Sequence, residues 1–130
     1  MRRVFLALVL VGVTMAPAVA QTVPELPFQS VPDPLTLPPD VHFGEIAGVA
    51  VNSKGHVFVF SRGNSVGPAY MATAAQLLEF DQAGKFVREI GKNLFAWAYA
   101  HAVRIDKQDN IWVVDKGSNM IVKFNPQGLT

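Results

Sequence analysis

Short runs of apolar residues alternate with turn residues from position 44 to the end of the chain. Runs of this length that are rich in Val, Ile and Phe predict β-strands. The first four predicted strands are 46–51, 56–60, 76–80 and 86–90, and two more follow at 101–105 and 110–114. Polar and glycine-containing segments separate them, and these residues tolerate the backbone conformations of tight turns. The pattern therefore predicts an all-β fold built from antiparallel hairpins.

The strand pattern is repeated within the chain. Residues 48–62 align without a gap on residues 102–116, and Gly63 then falls on Gly117. A repeat of about fifty residues with four antiparallel strands is typical of a β-propeller blade. A small β-sandwich also uses short strands, but an ungapped internal repeat favours the propeller.

The number of blades bears on how much of the protein this chain represents. Propellers close with roughly four to eight blades. Residues 44–130 provide one blade and the larger part of a second, which would leave sheet faces and edges exposed. We therefore expect the chain to be an N-terminal fragment of about two blades, an incomplete propeller.

The first twenty residues have the pattern of an export signal. Arg2 and Arg3 precede an apolar stretch at 4–13, and a small-residue cleavage site ends at Ala20. This order predicts a signal peptide over 1–20 and a secreted or periplasmic protein. A membrane anchor would need about 18 uninterrupted apolar residues, and glycine, threonine and proline interrupt this run early. No membrane anchor is expected after cleavage.

Six of the nine prolines lie between residues 21 and 40. Repeated proline removes backbone donors and favours extended polyproline II structure, so neither a helix nor a central strand is expected there. Residues 21–43 are predicted to be a proline-rich leader. Apolar side chains at Phe28, Val31 and Leu35 indicate a strap over the folded body, and a polyproline ligand for a partner domain is the alternative.

Composition and charge exclude several classes of function. Half of the residues are hydrophobic and 16% are charged, which is typical of a foldable globular chain. Without Arg2 and Arg3, nine basic residues face ten acidic ones. A net charge of −1 provides no basic surface for nucleic acid or for an anionic membrane. The absence of cysteine excludes thiol nucleophiles, disulfides and cysteine-based zinc modules.

Three motifs lie in or beside the predicted strands. They are Phe-Ser-Arg-Gly at 60–63, Gly-Lys-Asn-Leu-Phe at 91–95 and His-Ala-Val-Arg-Ile-Asp at 101–106. With the strands around them they resemble NHL repeats, and more narrowly the opening blades of the peptidyl-α-hydroxyglycine α-amidating lyases. The resemblance covers 44–128. It implies a six-bladed propeller of NHL-type four-stranded blades and an enzyme that releases peptide amide and glyoxylate.

The same resemblance implies positions for a site. In that family three histidines hold zinc, an arginine and a tyrosine flank the substrate hydroxyl, and backbone carbonyls contribute to a calcium site. His101 takes a zinc-ligand position, Arg62 takes the catalytic arginine position, and the carbonyls of Val49 and Val103 take calcium positions. The other ligands and the tyrosine would lie beyond Thr130. The implied partner is a peptide or small hydroxyglycine-like substrate.

His101 and Arg62 also stand out without the resemblance. His101 begins a predicted innermost strand where the first copy has Ala47, and imidazole is a common zinc ligand. A histidine that only satisfies a hydrogen bond between blades is the alternative. Arg62 replaces Lys116 of the second copy and offers a fork of donors for a carboxylate or an alkoxide. A solvated residue on the rim is the alternative there.

Neighbouring residues depart from the family pattern. Ser61 and Asn64 stand where the family has histidine and aspartate, and alanines flank His101 in place of proline and glycine. These departures fit a relative with other substrate preferences, and they equally fit a propeller without activity. Two other functions therefore stay open: a non-catalytic NHL-type propeller that binds a peptide or protein, and a calcium-dependent propeller hydrolase.

Two further segments are interpreted structurally. Phe95, Trp97 and Tyr99 are expected to fill the interface between the blades. Residues 64–75 lengthen the first copy and contain glycine, alanine and serine, so they are predicted to form a loop on one rim.

Overall fold

The computed structural model describes residues 23–63 and 75–130. These residues form seven strands and no helix. The strands are β1 (Ile46–Val51), β2 (Val57–Ser61), β3 (Gln76–Phe80), β4 (Phe86–Ile90), β5 (Ala100–Ile105), β6 (Ile111–Asp115) and β7 (Met120–Phe124). The predicted signal peptide and nearly all of the predicted rim loop lie outside the described residues. Within them, no helix is long and apolar enough to cross a membrane.

The strands form two antiparallel sheets in sequence order. The first sheet has the order β1-β2-β3-β4 and the second has the order β5-β6-β7. Each is the meander of a propeller blade, and the predicted all-β propeller-type fold is confirmed. The predicted bounds of β1, β3 and β4 match the structure. The predicted β2 and β6 each begin and end one residue before the observed strands. The observed β5 begins one residue before its predicted start.

Both first strands contain a β-bulge at the same repeat position. The register of β1 with β2 shifts between Ile46 and Gly48, and the register of β5 with β6 shifts between Ala100 and Ala102. Ala47 and His101 are therefore the extra residues. A bulge bends its strand and redirects a side chain, and bulges are frequent beside functional sites.

The main core lies between the two sheets. Trp97 is buried there, with its ring 5.0 Å from that of Phe60 and 6.0 Å from that of Phe124, measured between centroids. The predicted interface position of Trp97 is thus confirmed. The corresponding prediction for Phe95 is wrong, because Phe95 is 78% exposed. Leu94 packs against the core instead, and the turn directs the next side chain outward.

A second core lies under the leader. Four leader side chains pack against Val59, Leu78 and Phe80 on the other face of the first sheet: Leu35, Leu37, Val41 and Phe43. The Thr36 amide also donates to the Gly84 carbonyl at 2.8 Å. The strap prediction is therefore confirmed for Leu35 and for the residues that follow it.

The strap prediction is wrong for Val31, and for Phe28 it stays a prediction. The chain divides into a unit over Met1–Ser30 and a unit over Val31–Thr130. Phe28 belongs to the first unit and is 93% exposed, and Val31, at the start of the second, is also exposed. The described residues of the first unit, 23–30, are exposed and have no regular secondary structure.

Candidate functional site

His101 is the bulged residue of β5, and its side chain is exposed. Ala100 on one side of it is buried in the core between the sheets. The bulge therefore separates a core residue from a neighbouring imidazole that solvent can reach. An exposed imidazole can serve as one ligand of a zinc ion. The described residues hold no group of three His, Cys, Asp or Glu side chains that could hold a metal ion together.

Arg62 directly follows β2 and is held by several contacts. Its amide donates to the Glu45 carbonyl at 2.9 Å, and its Nη1 lies 2.5 Å from Glu45 Oε2. Its guanidinium lies 4.0 Å from the centroid of the Tyr99 ring. Only 15% of the side chain is exposed, so Arg62 is not a solvated residue on the rim.

The remaining contact of Arg62 brings it to the start of β5. Arg62 Nε donates to the Ala100 carbonyl at 3.0 Å, and Ala100 immediately precedes His101. The end of β2 and the start of β5 thus lie side by side. The structure places the two predicted side chains at one end of the sheets, where a hydrogen bond couples the arginine to the backbone of the bulge.

Asp115 is a site residue that the sequence analysis missed. Its buried carboxylate accepts hydrogen bonds from the amides of Ala98, Tyr99 and Ser118, at 2.9 to 3.0 Å. These bonds fix the segment that leads into His101. The equivalent residue of the first copy is Ser61, which is also buried. A polar residue between an apolar strand and a glycine in both copies is the signal that identifies this position.

Val49 and Val103 occupy equivalent places in β1 and β5. In an antiparallel pair, backbone groups point alternately toward and away from the partner strand. The Asn52 amide donates to the His56 carbonyl at the end of the first hairpin, and the Asp106 amide donates to Asn110 in the second. Because hydrogen-bonded and non-hydrogen-bonded pairs alternate along each register, Val49 and Val103 both belong to non-hydrogen-bonded pairs. Their carbonyls therefore face away from β2 and β6. We call this side the first-strand edge.

The two first strands approach each other closely at Gly48. A Cβ at Gly48 would lie 3.1 Å from the Val103 nitrogen and 3.3 Å from its Cγ1. Glycine therefore allows the backbone of β1 to pack beside that of β5. As a result, the two carbonyls predicted to bind calcium lie on adjacent strands.

The Val103 carbonyl already has a cationic partner. Arg104 Nη1 donates to it at 2.7 Å. A guanidinium on this oxygen does not fit a divalent cation bound to the same oxygen, since the two positive charges repel each other. Calcium therefore has no place in the reaction that these residues could support.

Comparison with known proteins identifies a relative among the amidating lyases. No protein-family model matches the chain. Over 107 residues the chain is 28% identical to peptidyl-alpha-hydroxyglycine alpha-amidating lyase 1 of Drosophila melanogaster, in an alignment that covers 68% of this chain. The chain spans 19% of the length of that relative. The similarity agrees with the propeller-type sheets described above.

Proposed function

We propose that this chain contributes NHL-type blades to a secreted or periplasmic lyase that converts peptidyl-α-hydroxyglycine into a peptide amide and glyoxylate. The similarity to an amidating lyase supports the reaction class. The observation that carries the proposal is the 3.0 Å bond from Arg62 Nε to the carbonyl that precedes His101. This bond holds the Arg62 guanidinium next to the bulge that carries His101, and a guanidinium is suited to binding an anion.

The reaction divides into defined bond changes. The substrate hydroxyl loses its proton, and its oxygen forms a double bond to the α-carbon. The bond from that carbon to the amide nitrogen breaks, and the nitrogen takes up a proton. Negative charge develops on the hydroxyl oxygen along this path, so a fixed donor beside the oxygen lowers the barrier.

Arg62 is suited to the role of that donor. The stack on Tyr99 and the bond to Ala100 fix its plane before substrate binds. The contacts with Ala100 and Glu45 use Nε and Nη1, and the two N–H groups of Nη2 lie outside them. We assign these groups to the developing oxyanion. A lysine would offer a point charge without the fixed geometry.

His101 is assigned to a metal. It would supply one of the three protein ligands of a catalytic zinc, with the others outside the described residues. When bound, zinc polarises the substrate hydroxyl and favours loss of its proton. Asp115 holds the segment before His101 in place, and Arg62 donates to the carbonyl of Ala100, which precedes His101.

The test measures zinc content and glyoxylate release in the full-length protein. Arg62→Ala should lower turnover roughly a hundredfold or more and leave zinc near the wild-type level, since one oxyanion donor contributes on that scale. His101→Ala should lower zinc affinity by well over tenfold. Lys116→Ala, at the position equivalent to Arg62 in the second copy, is the control and should change neither quantity.

One outcome would contradict the proposal. A wild-type protein that lacks zinc and releases no glyoxylate would favour a non-catalytic propeller that binds a peptide or protein.

Export is tested separately by mass spectrometry of the protein from its own host. We expect Gln21, or its pyroglutamate form, at the mature N-terminus. A retained Met1 on membrane-bound protein would contradict the predicted cleavage.

A further inference from the structure

Arg104 distinguishes the first-strand edge of β5 from that of β1. The internal repeat aligns Val103 with Val49, and Arg104 with Ala50. The Arg104 side chain bends back to its own strand, where Nη1 donates to the Val103 carbonyl at 2.7 Å. The residue equivalent to Arg104 in the first copy is Ala50, whose side chain is a single methyl group, so the two copies differ by one full positive charge at this position.

The contact satisfies an oxygen that the sheet does not use. The Val103 carbonyl faces away from β6, so the ladder between β5 and β6 provides no donor for it. Backbone carbonyls in the interior of proteins need a partner, and an ionised donor gives a shorter and stronger hydrogen bond than a neutral one. Arg104 therefore provides the positively charged partner for this oxygen that a bound cation would otherwise provide.

The position of Arg104 also opposes the binding of a metal ion to the Val103 carbonyl. A calcium ion on the Val103 carbonyl would lie about 2.4 Å from the oxygen, and hence no more than about 5 Å from Arg104 Nη1. Charges that close repel strongly even at a protein surface. The Val103 carbonyl can bind the guanidinium or a calcium ion, and binding of one opposes binding of the other.

We propose that the Arg104 guanidinium is the fixed cation of the first-strand edge, and that it makes this edge independent of calcium. Calcium binding there would require Arg104 to leave the carbonyl, at a cost in affinity. The proposal does not depend on the lyase function, since it concerns the ion requirement of the fold and is tested without an activity measurement.

The test is the thermal stability of the full-length protein in calcium-free buffer, prepared without a chelator that would remove zinc, and in millimolar calcium chloride. The wild-type Tm should be the same in both. Arg104→Met removes the guanidinium and keeps an apolar stem, so in calcium-free buffer its Tm should be lower than that of the wild type and should rise by several degrees with calcium. Calcium titration should show at least tenfold higher affinity for Arg104→Met than for wild type.

Two variants control for charge and for folding. Lys123→Met removes another cation of this sheet, one that lies over the Trp112 ring at 4.9 Å, and it should stay insensitive to calcium. Arg104→Lys keeps the charge and should behave as wild type. If Arg104→Met does not fold, Arg104→Gln takes its place in the comparison. A wild-type Tm that is lower in calcium-free buffer than with calcium would overturn the proposal. So would an uncharged Arg104 variant whose Tm does not rise with calcium.

Discussion

The Arg62 guanidinium lies 4.0 Å from the centroid of the Tyr99 ring, and this pair joins the two sheets at the end that carries His101. Arg62 follows the second strand of one sheet, and Tyr99 directly precedes the first strand of the other. The Lys116 amide also donates to the Tyr99 carbonyl at 2.9 Å, which fixes the backbone below the ring. Arg62 is thus both a candidate for catalysis and a structural link between blades.

The first prediction separates the ring of Tyr99 from its hydroxyl. Tyr99→Leu removes the aromatic face under Arg62, and it should lower the free energy of unfolding by about 1 to 2 kcal/mol, the scale of a cation–π contact with little solvent access. Tyr99→Phe keeps the face and should stay within about 0.5 kcal/mol of wild type. Urea denaturation of the full-length protein measures both. Equal losses in the two variants would assign the effect to the hydroxyl group.

The strands could be predicted from the sequence because their signals are local. Alternation and turn residues define each strand within a few positions, and the repeat confirms their order. The contacts of the site are not local. Arg62 contacts Tyr99 and Ala100 only because the two sheets pack together. The alternation of apolar residues in the sequence gives no information about these contacts. The exposure of Phe95 depends likewise on the direction of one turn, which spacing alone does not determine.

The second prediction compares two glycines with nearly the same backbone. Gly84 has a φ of 79° and Gly55 has a φ of 76°, so alanine is strained at both positions. A Cβ at Gly84 would collide with the Pro34 carbonyl of the strap, whereas a Cβ at Gly55 would meet only the flexible Gln82 side chain. Gly84→Ala should therefore cost at least about 1 kcal/mol more than Gly55→Ala, on the scale of overpacking.

Urea denaturation of both alanine variants provides the comparison. The strap should also loosen in Gly84→Ala, because the Gly84 carbonyl accepts the Thr36 amide. Faster hydrogen exchange at the Thr36 amide would report that change. Equal destabilisation of the two variants would show that the strap moves away from the collision at no cost.

The third prediction concerns acid stability. The Ser53 hydroxyl and amide donate to the Asp109 carboxylate and join the two hairpin turns. The hydroxyl bond, followed by the amide bond, lowers the pKa of Asp109 below its ordinary value. A lowered pKa in the folded state stabilises the fold above the ordinary value of about 4, and this contribution is lost as pH falls through the lowered pKa.

Ser53→Ala isolates the Asp109 contribution. It should destabilise the protein at pH 7, and its difference from wild type should be constant down to about pH 5 and shrink below about pH 4. The pKa of Asp106 is lowered as well, chiefly by the Trp112 indole and the Asn110 side chain, but these contacts are present in both proteins and cancel in the comparison. A difference that persists unchanged at pH 2 would show that the Asp109 charge is not involved.

The last prediction concerns the buried carboxylate that orders the approach to His101. Asp115 accepts three backbone N–H groups, and its side chain is fully buried. Asp115→Asn keeps the shape but replaces one acceptor oxygen by an NH2 group that would face those donors. The buried donors left without an acceptor should lower the free energy of unfolding by about 2 to 4 kcal/mol.

Ser61→Ala is the matched variant in the first copy. Its hydroxyl accepts the amides of Gly44 and Gly63 at 3.1 Å, so its loss should cost about 1 to 2 kcal/mol. Hydrogen exchange distinguishes local from global effects. In Asp115→Asn the Ala98 and Tyr99 amides should exchange faster than the loss of global stability alone explains. In Ser61→Ala the loss of global stability should account for their whole change in exchange rate. Uniform acceleration across both sheets would instead show that Asp115 stabilises the fold as a whole and does not order the segment before His101.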